Sequence, residues 1–165
     1  MTWLVIAGIM AMLVAPLMWL KPSPRQKRLV ALRAEARRLG IEVKLETSPA
    51  HQAKELVAAY RWLYPVQRPG PDFMLVSPYL ASPALKTFSD GWCWRTEPLR
   101  PLPDTAQRLL NSLPEHLGDS VLAIGSSRSV LTLWWEETLS APELSAFVEP
   151  LTELRDALEN CPDER

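Results

Sequence analysis

The order of apolar and polar positions divides the chain into three parts. Trp3 to Leu20 is eighteen residues without a charge. At Lys21 the pattern switches to "KPSPRQKRLVALRAEARRLG", where Leu29, Leu32, Ala36 and Leu39 fall on one stripe at 100° per residue and Lys27, Arg28, Arg33, Arg37 and Arg38 fan around the rest. Ser23 as N-cap, Pro24 at the first helical position and Gly40 as terminator frame a helix there. From Ile41 the pattern changes again, to short runs of mixed period.

Those runs predict strands in groups, with helices between and after them. "IEVKLE" alternates, putting Ile41, Val43 and Leu45 on one face of a strand. Ser48-Pro49 signals a helix start, and "LVAAYRWLY" either continues that helix or forms a second strand; a short helix followed by a strand is the reading adopted. Five prolines between Pro65 and Pro83 leave room for only a brief strand at "FMLV" in an extended connection. Asp90-Gly91 turns into "WCWRTE", and Asp104 caps a helix through Leu109, Leu110 and Leu113. "SVLAIG" and "SVLTLWWEE" form a hairpin with Gly125 at or near its turn. The capping box Ser140-x-x-Glu143 opens a final helix with Leu144, Phe147, Val148, Leu151, Leu154 and Leu158 on one face, and Pro150 is expected to kink or split it. The class this predicts is α+β: a small antiparallel sheet covered by helices, over residues 41–165.

The opening segment reads as a transmembrane helix over residues 1–20. Eighteen residues at about 1.5 Å each cover roughly 27 Å, close to the hydrocarbon thickness of a bilayer. Trp3 and Trp19 bracket it, where indoles settle at the two headgroup levels. A cleaved signal would start with positive charge and end at a small-residue site, and neither mark is present. A buried hairpin helix is the alternative; the basic flank and the tryptophan pair argue for lipid. Residues 21–40 then form a basic amphipathic juxtamembrane helix, with Lys21, Arg25, Lys27 and Arg28 placed to touch anionic lipid. By the positive-inside rule the N-terminus faces outward and the domain lies in the cytoplasm.

Charge sharpens this partition. Residues 21–38 hold seven basic residues against Glu35 alone, a net +6, which leaves −7 for the rest of a chain whose total is −1. An acidic body repels an anionic polymer, and no aromatic residue lies among the basic ones to stack a base, so nucleic acid is not expected as a partner. Cys93 and Cys161 stand far apart with no Cys-x-x-Cys or Cys/His spacing, so neither a metal site nor a disulfide framework is expected.

The stretch "PSPRQKRLVALRAEARRLGIEV", Pro22 to Val43, after a short apolar N-terminus, resembles a group of small, uncharacterised proteobacterial inner-membrane proteins. Some of these are labelled preprotein translocase accessory subunits, because those subunits also place one N-terminal span before a small cytosolic domain. The resemblance covers about the first 45 residues and implies residence in the inner membrane. It supplies no catalytic residues, and the glycine-rich β-segment of the true accessory subunit is missing: the six glycines are scattered at 8, 40, 70, 91, 118 and 125.

Candidate chemistry is sparse. His51 sits at a predicted helix start and His116 near a predicted helix end, where solvation and the helix dipole account for each. "GSSRS", Gly125 to Ser129, lies between two strands and lacks the closing glycine of a nucleophile elbow; Arg128 stands at its tip. Trp92 and Trp94 share a sheet face, whereas adjacent Trp134 and Trp135 point to opposite faces. These four tryptophans either pack under the C-terminal helix or form a candidate partner surface. Glu136-Glu137 reads as the polar end of a strand. The function expected is therefore a membrane-anchored protein whose domain binds a protein partner, as an accessory subunit of a membrane complex, with no cofactor and no metal. The alternative is a membrane-tethered enzyme whose active site the sequence does not identify.

Overall fold

A computed structural model describes residues 1–19, 23–50 and 54–163, with residues 13–19 described by their backbone path alone. The opening segment is a helix, α1 (Thr2–Trp19), but among the described residues no helix is long and apolar enough to cross a membrane. This overturns the predicted span over 1–20 and, with it, the reading of Trp3 and Trp19 as its headgroup markers. The physical reason is length: eighteen residues give about 27 Å against a core of about 30 Å that calls for about twenty apolar residues, and Thr2, two tryptophans and Pro16 occupy four of the eighteen positions. Lys21 lies outside the described residues.

α2 (Pro24–Arg38) forms where its caps predict. The Ser23 hydroxyl accepts the Gln26 N–H at 3.2 Å, and the Gln26 side chain accepts the Ser23 N–H at 2.9 Å. Gly40, at φ +81°, ends it: its N–H donates to Arg37 and that of Ile41 to Ala36, so two terminal carbonyls are satisfied. Leu32 and Ala36 are fully buried, Leu29 is half-buried, and Arg25, Lys27 and Arg28 are exposed.

The body is one seven-stranded, wholly antiparallel sheet: β1 (Glu42–Thr47), β2 (Leu56–Leu63), β3 (Phe73–Val76), β4 (Lys86–Thr87), β5 (Cys93–Thr96), β6 (Val121–Ser127) and β7 (Val130–Trp135). Their spatial order is β1-β2-β7-β6-β3-β5-β4. α3 (Asp104–Leu117) and α4 (Ala141–Leu158) complete the chain, so the predicted α+β class with helices over an antiparallel sheet is correct. One core joins Leu32 and Ala36 of α2, Leu110 and Leu113 of α3 and Leu144, Leu151 and Leu154 of α4 to Tyr60, Trp62, Phe73, Leu75, Leu131, Leu133 and Trp135 of the sheet. On the opposite face Val76, Cys93 and Ala123 lie under Leu80, Ala81 and Leu85 of the proline-rich connection.

Residues 56–63 are strand throughout, because β2 is paired on both sides, by β1 and by β7. The expected short helix before it is absent from residues 48–50 and 54–55, and His51 lies outside the described residues. The β6–β7 hairpin exists, but its turn is Arg128-Ser129, between the closing pair Ser127 and Val130. Gly125 stands inside β6 opposite Thr132, where an added Cβ would come within 2.9 Å of the Trp134 ring. Asp104 is the first residue inside α3, after Pro103, so it acts on the dipole and makes no side-chain cap. α4 runs unbroken through Pro150, since the apolar face that packs on both sides of the proline offsets the one lost hydrogen bond.

Candidate functional site

The tryptophans expected to offer a surface are mostly spent in the core. Trp135 is fully buried, edge-on to Tyr60 with centroids 5.2 Å apart and stacked on Phe147 at 4.7 Å; Trp92 is 5% exposed. Trp94 is half-buried against Phe73 and Phe88, at 5.7 and 4.9 Å. A partner surface of Trp92, Trp94, Trp134 and Trp135 is thus corrected to a packing role for Trp92, Trp94 and Trp135, because seven strands under three helices offer enough apolar area to absorb them. Trp134 remains, on the other sheet face, where the missing Cβ of Gly125 makes room for its ring. The facial assignments hold: Trp92 and Trp94 pack with one core, and Trp134 opposes Trp135.

Both polar residues that the sequence left to solvent, Arg33 and Glu137, meet inside. Arg33 donates through Nε and Nη2 to the two carboxylate oxygens of Glu137 at 2.8 and 2.5 Å, and the Tyr60 hydroxyl donates to the same carboxylate at 3.0 Å. Glu137 is 4% exposed and sits at φ +53°, a left-handed conformation that turns its side chain inward directly after β7. Burial, followed by the neighbouring carboxylate, pushes the Tyr60 phenol far above its ordinary range. The hydrogen bond to Glu137 likewise holds the Arg33 guanidinium charged. This bidentate pair ties α2 to the segment that follows β7. No spacing in the chain announces it; the partners are 104 residues apart, and only the fold brings them together.

His116 shares a hydrogen bond of 2.7 Å with the Ser112 carbonyl one turn back, and the Cys93 thiol is buried against the Gly91 carbonyl. Among the described residues no three His, Cys, Asp or Glu side chains stand together in a way that would hold a metal ion.

Among the described residues, two unoccupied surface features stand out. The first is α1: Trp3, Leu4, Val5, Ile6, Ile9, Met10 and Met12 are each 54–85% exposed, on every side of the helix. The second is a cleft of about 470 Å³ where the connection after β3, the β4–β5 turn and the end of α3 converge, lined by Ser77, Tyr79, Asp90, Trp92, Glu115 and Asp119 among others. No protein family matches the chain, and no curated protein or solved structure is similar to it.

Proposed function

We propose that the chain is a protein-interaction module, an accessory subunit that attaches to a protein partner through α1. The observation that carries this reading is the exposure of that helix. A folded domain with a closed core has no use for seven large apolar side chains in water, and burying apolar surface returns about 25 cal/mol per Å². Among the described residues no nucleophile stands poised beside a base, so binding is the reading favoured over an enzyme.

A photoreactive amino acid placed at Ile6 or Met10 in cells tests the proposal. One discrete protein adduct from both positions, lost when Ile6, Ile9 and Met10 are replaced together by serine, is the expected result. Adducts to lipid alone, or none, would reject a protein partner.

A further inference from the structure

We infer that the cleft beside α3 receives a cationic group, the ammonium or guanidinium of a lysine or arginine side chain carried by the partner; this deepens the interaction reading and rests on it. Three features converge. Asp90, Glu115 and Asp119 line the cleft with carboxylates, and none of the described residues lining it is basic. The C-terminal end of α3, at Leu117 with Gly118 beyond it at φ +63°, adds the negative pole of the helix dipole to the same wall. Tyr79, 69% exposed, and Trp92, on the inner side, supply aromatic rings over which a cation is attracted and an alkyl stem can lie.

The independent sign of a ligand is Ser77. It lines the cleft, is 2% exposed, has its backbone N–H and carbonyl both engaged, and keeps a buried hydroxyl with no hydrogen-bond partner. A buried hydroxyl left without a partner is costly, and an N–H donor entering the cleft would satisfy it. The rim is preformed: the Asp90-Gly91 turn, both residues at positive φ, is held by the Phe88 N–H donating to the Trp92 carbonyl across it, and a Cβ added at Gly91 would come within 3.1 Å of the Pro78 ring. Asp90 accepts one hydrogen bond from the Ser89 hydroxyl at 3.1 Å, which aims the carboxylate and leaves its other oxygen open.

Three probes are titrated into the ¹⁵N-labelled full chain: a blocked Gly-Lys-Gly peptide, the same peptide with its lysine Nε-acetylated, and n-butylammonium. The lysine peptide is expected to shift the Trp92 indole and the Ser77, Gly91 and Gly118 amides saturably, while the acetylated peptide does not. Each of Asp90→Asn, Glu115→Gln and Asp119→Asn, all at exposed positions, weakens it by about fivefold at low salt, a gap that closes as salt rises. Ser77→Ala weakens it as well. Equal binding of the acetylated peptide, no saturable shift, or indifference to all three carboxylate variants overturns the cation site. n-Butylammonium, the lysine head and stem alone, is expected to shift the same signals more weakly; binding as tight as that of the lysine peptide would assign the site to a free amine and overturn the partner side chain as its source. None of these readings depends on α1, so the cleft and the helix can fail separately.

Discussion

The Arg33–Glu137 pair offers the most exacting test of how the domain is held together. Arg33→Ala removes two charge-assisted hydrogen bonds and leaves a carboxylate 4% exposed with the Tyr60 hydroxyl as its only remaining side-chain donor among the described residues. Breaking a buried pair by deleting one partner costs about 3–5 kcal/mol, chiefly the desolvation of the stranded charge. Because the Arg33 side chain retains 28% exposure, the pair is partly solvated and the lower end, about 3 kcal/mol, is expected. Glu137→Ala should cost somewhat less: the freed guanidinium can turn to water, and the strain at φ +53° is unchanged for alanine, leaving the orphaned Tyr60 hydroxyl at about 1–3 kcal/mol. The double variant must then fall well short of the sum, with a coupling of about 2 kcal/mol. Urea denaturation followed by far-ultraviolet circular dichroism measures all three. The exposed Arg38–Glu35 pair is the control, and Arg38→Ala should leave the midpoint where it is. Additive single effects, or a loss at Arg33 no larger than at Arg38, would show that the pair is as wet as the control and that α2 is held by Leu32 and Ala36 alone.

Two further outcomes follow from the same packing. Gly70→Ala places a Cβ 2.3 Å from the ring of Tyr64, which is 5% exposed and anchored through Ser126 to the Pro71 carbonyl; a loss of about 1–3 kcal/mol is expected in the same assay, and an unchanged midpoint would mean the ring is free to move. Burial raises the phenols of both Tyr60 and Tyr64, so in the folded state they stay protonated after the unfolded chain has begun to ionise. Their stabilising effect is therefore complete below the unfolded tyrosine value of about 10 and is lost as pH climbs above it, by about 1.4 kcal/mol per pH unit for each. Denaturation midpoints should change little between pH 9 and 10 and fall along that slope between 10 and 11, and Tyr60→Phe with Tyr64→Phe should flatten the fall.

Local chemistry was legible in the chain wherever neighbours in sequence are also neighbours in space. The capping boxes at Ser23 and Ser140, the terminator at Gly40, the β6–β7 hairpin and the apolar face of α4 depend on contacts within a few residues, so their patterns survive folding. The sheet-face parity of the tryptophans was legible too, because alternation is a property of the strand itself.

What the chain alone did not decide is which of two chemically acceptable environments a residue enters. "LVAAYRWLY" suits helix or strand, and it became β2 because β1 and β7 both offered it hydrogen bonds. Trp92 and Trp135 suit a surface or a core, and three helices stacked on one sheet face made them core. Arg33 and Glu137 belong in water by composition; a left-handed residue after β7 and the seat of α2 on α4 turned them toward each other. Sequence fixes short-range hydrogen bonding and periodicity, whereas burial and pairing over 104 residues are set by how the layers close, and that closure is a property of the whole fold.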